Sequence, residues 1–217
     1  MRRNAGFTLI EILVVITIIA SILAGISLMI RQAGGTKLKL DATSRVSGLG
    51  AAIDQLHSPD NLGMYPPSRM DQLIGPGNTG PVGKKLGSPP NDVNCGIESI
   101  YVAVRLKGVK VTVNGFDADG ALGNLDDDHA AAMVPDLAAN DLYEYLDPWG
   151  NPLIYISSRD YKDPKRVERY VLKNGQEVKV APAKRSNGEF ARPDSFQLFS
   201  IGPDEVPGTD DDIHYGG

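Results

Sequence analysis

Residues 200–213 hold five acids, Asp204, Glu205, Asp210, Asp211 and Asp212, in a stretch bent by Gly202, Pro203, Pro207 and Gly208. Carboxylates packed this closely repel one another unless a cation or a proton intervenes. Calcium takes about six to eight hard oxygen ligands from carboxylates and backbone carbonyls, and a bent loop with Asp at both ends can deliver them. The plain alternative is a solvated acidic tail, the common fate of a charge run. A second acidic stretch, residues 114–128, partly imitates an EF-hand. With Gly120 at loop position six, Asp117, Asp119 and Asp126 fall at positions three, five and twelve, but Gly115 stands where the first ligand belongs. A solvated insertion is the default reading there.

Other chemistry fares worse. His57, His129 and His214 are scattered, none stands beside Cys95 in a zinc-ligand spacing, and no nucleophile-elbow or zinc-protease motif occurs, so no enzyme is expected. Gly83, Lys84 and Lys85 invite comparison with a phosphate loop, but Asn78 occupies the first glycine position and Lys85 stands where Ser or Thr is required. Nucleotide binding is excluded on that ground. One further group is out of place: Glu11 lies inside residues 7–30, which are otherwise apolar or small and weakly polar. A helix over this run reaches roughly 36 Å, enough to cross a hydrocarbon core of about 30 Å. A carboxylate there costs a few kcal/mol unless neutralised or paired. Arg2 and Arg3 precede the run and hold the N-terminus in the cytoplasm, which sends the body across the membrane. The run is too long for a secretory signal and lacks its cleavage context.

Gly6, Phe7, Thr8, Leu9, Ile10 and Glu11, behind a short basic leader, resemble the prepilin signature of type IV pilins and type II secretion pseudopilins. Asp147, Pro148, Trp149, Gly150, Asn151 and Pro152 with the following strand resemble a turn of the major, G-type pseudopilin. The resemblance implies cleavage after Gly6 by a prepilin peptidase, methylation of Phe7, and a mature chain of 211 residues. It further implies an inner-membrane, single-pass subunit with a periplasmic head. That subunit forms a homo-oligomeric filament, aided by an assembly platform and minor pseudopilins. In this setting Glu11 would pair with the Phe7 ammonium of a neighbouring subunit, each buried charge making the other tolerable. In the major pseudopilins the C-terminal loop binds calcium; matched by position, the ligands here are Asp204, Asp210 and Asp211 with the backbone carbonyls of Ile201 and Val206. Pro203 and Glu205 depart from that pattern, and Asp212 is an alternative to Asp211. The competing reading is a type IV pilus or competence pilin, although such pilins more often end in a cysteine pair. A membrane-tethered solute-binding module, monomeric and indifferent to Glu11, is a third.

These features need elements to position them. Leu38, Ala42, Val46, Leu49, Ile53 and Leu56 follow one another at steps of three or four, the stripe of an amphipathic helix over residues 31–57. Gly34 and Gly35 predict a bend or local melting at its start. Residues 58–94 are rich in proline and read as loop. Strands are predicted at 100–106 and 109–113 around Lys107 and Gly108, at 152–157, at 170–173 and 177–180 around Asn174 and Gly175, and at 196–201. An Asn-Gly pair between two such runs is a strong hairpin signal. In the turn at 147–152, prolines fix φ, Gly150 permits a tight reversal, and Trp149 offers an apolar anchor. One long helix followed by antiparallel strands makes an α+β fold. Its regions are a leader (1–6), a transmembrane helix (7–30), an amphipathic helix (31–57), a loop-rich insertion with a hairpin (58–146), and a sheet with the acidic loop (147–217).

Composition agrees with this division. The chain has 217 residues, 41% hydrophobic and 23% charged, near globular averages. Twenty-four glycines and 15 prolines imply many or long connections. The single cysteine forms no intrachain disulfide. Beyond residue 30 there are 20 basic and 26 acidic residues, a net charge of −6. An acidic body of this kind argues against a nucleic-acid partner.

Overall fold

The computed structural model describes residues 9–78, 91–116, 120–126 and 142–216, the side chains of residues 24–33 and 78 excepted. The chain divides into two compact units, Met1–Leu40 and Asp41–Gly217, and helix α1 (Leu9–Leu56) contributes to each.

In the first unit, the side chains of residues 9–23 are all exposed. Apolar residues occupy every face of this part of the helix, the pattern of a segment that buries all its sides in an apolar surrounding. Thr17 Oγ1 donates to the Leu13 carbonyl at 2.7 Å and Ser21 Oγ to the Thr17 carbonyl at 2.9 Å, so the two hydroxyls are satisfied within the helix. Among the described residues no helix is long and apolar enough to cross a membrane; the predicted span, 7–30, extends past the described side chains at both ends. The expected melting at Gly34 and Gly35 does not occur, because helical structure runs through both. Propagating an existing helix adds a hydrogen bond for each residue fixed, which offsets a glycine's penalty of about 1 kcal/mol.

In the second unit the predicted stripe is the core face of α1. Ala42, Val46, Leu49, Ile53 and Leu56 are buried, joined by Ala52, while Leu38 stays partly exposed. The sheets are small and antiparallel: β1 (Leu122–Gly123) with β2 (Glu144–Tyr145), β4 (Arg169–Val171) with β5 (Glu177–Lys179), and β3 (Ile154–Ser157), β6 (Phe196–Ser200) and β7 (Ile213–His214) in the order β3-β6-β7. In the last sheet Ile154 faces Phe199, and Phe199 faces His214 on its other side. The predicted hairpin at Asn174 and Gly175 and the strands at 152–157 and 196–201 are all present, so the α+β expectation holds.

The predicted hairpin around Lys107 and Gly108 is not formed. Residues 100–106 belong in part to helix α2 (Cys95–Ala103), and residues 109–113 form no strand. All nine residues of α2 are buried. A short segment apolar on every side has no periodicity by which helix and strand can be told apart, and burial overrides the strand preference of Ile100, Tyr101 and Val102. Gly96 explains where this helix sits. A Cβ there would meet the Tyr155 carbonyl and come within 2.6 Å of the Tyr170 hydroxyl, so only glycine lets α2 lie against β3.

The chain's last strand is tied back to α1. The Tyr215 hydroxyl donates to Asp54 Oδ2 at 2.7 Å, and the Tyr215 ring fills the space that a side chain at Gly50 would need.

Candidate functional site

The turn at 147–152 is organised by a carboxylate rather than by its tryptophan. Asp147 is 1% exposed. Its Oδ1 accepts the N–H groups of Trp149 at 2.9 Å and Asn151 at 3.0 Å, and its Oδ2 accepts the Ser200 hydroxyl at 2.6 Å. Burial pushes its pKa up, against the lowering effect of the Ser200 hydroxyl and the backbone N–H groups. Trp149, expected to anchor the turn, is only half-buried, and its carbonyl accepts the Lys173 ammonium. A turn held by two of its own N–H groups and by the Ser200 hydroxyl of β6 has no need of an aromatic plug.

Ser200 leads directly into the acidic loop, and its Oγ also accepts the Gly202 N–H at 3.2 Å. Gly202 has φ of 71°, and a Cβ there would lie 2.6 Å from Asp211 Oδ2. This glycine therefore lets the two ends of the loop meet. Asp204 N–H donates to Asp211 Oδ2 at 3.3 Å, and Asp204 Oδ1 accepts the Val206 N–H at 2.9 Å. The Thr209 hydroxyl donates to Asp211 Oδ1 and lowers its pKa. Asp212 Oδ2 accepts the Gly208 N–H at 2.8 Å and lies 3.8 Å from His214 Nε2. Burial, then the charges of Asp211 and Asp204, push the Asp212 carboxyl up to about 6.

The acids expected as ligands are thus unequal. Asp204 and Asp211 approach one another, whereas Asp210 is exposed. Asp212, with a side chain 4% exposed, points inward and leaves Oδ1 buried without a hydrogen-bond partner. This orphaned oxygen sets Asp212 apart from the exposed Asp210, although the loop's acids do not bring three ligand atoms within 4.8 Å of one another. Ile201 is buried, and the Val206 carbonyl accepts the Thr209 hydroxyl at 3.2 Å.

A second group of acids was missed in the sequence. Among the described residues, one trio of acids brings ligand atoms within 4.8 Å of one another: Glu98 of α2, Asp126, and Glu144 of β2. Glu98 and Glu144 are fully buried. Asn94 Nδ2 donates to Glu144 Oε1 at 3.0 Å, the Leu125 N–H donates to Oε2 at 3.1 Å, and Asn91 Nδ2 donates to Asp126 Oδ2 at 3.2 Å. Burial, with the charge of Asp126, pushes the Glu144 carboxyl up to about 8. Asp126 therefore faces Glu98 and Glu144; Asp117 and Asp119, its partners in the EF-hand reading, lie outside the described residues. No sequence spacing links positions 98, 126 and 144.

The remaining candidates are quickly placed. Cys95 opens α2, and its thiol, raised in pKa by burial, donates to the Arg166 carbonyl at 3.2 Å. His57 stacks on Tyr65 and His214 on Phe199. Glu11 stands exposed in the first turn of α1, while Gly6 and Phe7 lie outside the described residues.

Residues 1–27 match the family model of the prokaryotic N-terminal methylation motif. The chain therefore carries a type IV pilin-like precursor signal, and its α+β architecture with a long N-terminal helix accords with a type IV pilin-like fold. The match covers Gly6, Phe7 and Glu11, the residues singled out for processing and assembly. No curated protein and no solved structure matches the chain.

Proposed function

We propose that this chain is a filament subunit of the major pseudopilin kind in a type II protein secretion system. The observation that carries the reading is the methylation motif over residues 1–27, with Glu11 one turn inside an apolar helix. On this reading a prepilin peptidase cuts after Gly6 and methylates Phe7. The apolar helix holds the subunit in the inner membrane, with the head in the periplasm. Subunits then stack through their helices, each Glu11 meeting the Phe7 ammonium of its neighbour, and an assembly platform and minor pseudopilins start and drive the filament. The Asp147 turn and the acidic loop favour secretion over a type IV pilus or competence pilin.

Calcium belongs to the same reading, as a structural ion of the acidic loop. Asp204, Asp211 and Asp212, with the carbonyls of Ile201 and Val206, are the residues that would hold it. Its charge would relieve the repulsion among carboxylates that burial leaves uncompensated.

Two measurements in the native host test the assembly reading. Mass spectrometry of purified material should find a chain beginning at methylated Phe7. Glu11→Ala should be processed normally yet be absent from sheared filaments. An intact Met1, or normal filaments from Glu11→Ala, overturns it.

A further inference from the structure

We propose that the extended segment 109–114 docks against the acidic loop of a second copy of this chain, Lys110 meeting Asp210, in a head-to-tail contact that repeats along the filament. The proposal rests on the filament reading above. Val109, Val111 and Val113 pack against the core, while Lys110, Thr112 and Asn114 alternate with them toward solvent. This is the pattern of a half-buried strand, yet among the described residues the segment pairs with no strand. Its charge is one-sided as well. Residues 99–116 hold Arg105, Lys107 and Lys110 and no acid. Arg105 is turned inward, donating to the Tyr101 carbonyl and the Tyr145 hydroxyl, each at 3.1 Å. Lys107 and Lys110 are exposed, and neither ammonium forms an ion pair among the described residues. Asp60 borders the same hollow as Lys110 without pairing with it.

The acidic loop is the complementary surface, with five acids and no base over residues 200–213. Four of the five are engaged. Asp204, Asp211 and Asp212 accept donors of the loop itself. Glu205 Oε2 accepts Asn174 Nδ2 at 3.0 Å, in the turn of the β4–β5 hairpin, and its Oε1 lies 3.5 Å from the Lys173 ammonium. Asp210 is exposed, and among the described residues its carboxylate has neither a hydrogen bond nor an ion pair. The two surfaces stand on opposite flanks of α1. A side chain at Gly48 would meet the Asn114 carbonyl, and one at Gly50 would meet the ring of Tyr215, which follows the loop and β7. Positions two apart on a helix are turned by about 200° around its axis. One copy therefore offers its lysines to a neighbour on one side and its acids to a neighbour on the other. Two unlike patches give a contact that extends from copy to copy, whereas a self-matching patch stops at a dimer.

The test compares sheared filaments from the native host for wild type, Lys110→Glu, Asp210→Lys and the chain carrying both changes. Both positions are exposed, so the melting temperature of the head and cleavage to methylated Phe7 should match wild type. Each single reversal sets like charges against each other in every contact and should reduce filaments about fivefold. The double change reverses both sides at once and should restore them. A chain with Lys110→Cys and Asp210→Cys, treated as filaments with a short bismaleimide, should give a ladder of dimers, trimers and longer products, since the native Cys95 is buried. Single reversals that assemble like wild type, a double variant no better than either single, or cross-linking that yields nothing beyond dimers overturns the proposal and leaves the filament reading intact. A wild-type chain that forms no filament overturns both.

Discussion

Two groups of carboxylates in this head are built in opposite ways. The acids of the C-terminal loop are neighbours in sequence, yet in space they spread: Asp210 faces solvent, Asp204 and Asp211 meet, and Asp212 turns inward. Glu98, Asp126 and Glu144 are far apart in sequence, yet their oxygens gather within 4.8 Å and two of the three residues are fully buried. The first group is held by its own backbone N–H groups and by ties to adjacent turns. The second is held by packing of α2, β2 and the residues near Leu125. Closeness along the chain is thus a poor guide to convergence, and a contiguous acidic run is best read residue by residue.

The largest way to sharpen the contrast is to free one end of the loop while sparing the buried trio. Asp147→Ala removes three hydrogen bonds at a buried site and should lower unfolding stability by about 3 kcal/mol in urea titration. Calcium at a hundredfold excess over its dissociation constant should stabilise the head by about 2.7 kcal/mol, seen as a higher melting temperature than with chelator. Identical curves would make the loop a solvated tail. Glu144→Gln probes the other group. The Glu144 carboxyl sits near 8 when folded against an ordinary 4.5. Between those values the folded chain keeps a proton that the unfolded chain has released, so this group's stabilisation falls as pH rises from 4.5 to 8. The glutamine variant should be more stable than wild type by about 1 kcal/mol at pH 8, with the gain fading toward pH 4.5. A loss at pH 8 would mean that the hydrogen bonds from Asn94 and Leu125 to the two carboxylate oxygens outweigh the charge repulsion. Smallest of all, Asp210→Asn should shift calcium affinity less than Asp212→Asn does, reversing the order that position in the motif implies.

What could be read in the sequence was whatever has a period or a local rule. The stripe from Ala42 to Leu56 announces a core face because its spacing is helical, and Asn174 with Gly175 announces a hairpin because the turn demands those residues. The methylation motif is local as well, six residues behind a basic leader. Helix α2 was misread because a segment buried on all sides carries no period. The two-residue strands β1, β2 and β7 are set by pairing partners distant in the chain. Asp147 looked like a turn former, and nothing nearby shows that its second oxygen reaches Ser200. Glu98 and Glu144 sit among apolar neighbours with no motif around them, so only the packing reveals their company.

Tyr215 in its notch at Gly50 and Ser200 on Asp147 stand at opposite ends of the acidic stretch. Together they work like the piers of a bridge: the deck between them can be lengthened, shortened or rewritten near Pro207 without moving the ground on either side. Evolution could therefore retune what this deck carries while the head beneath it stays as it is.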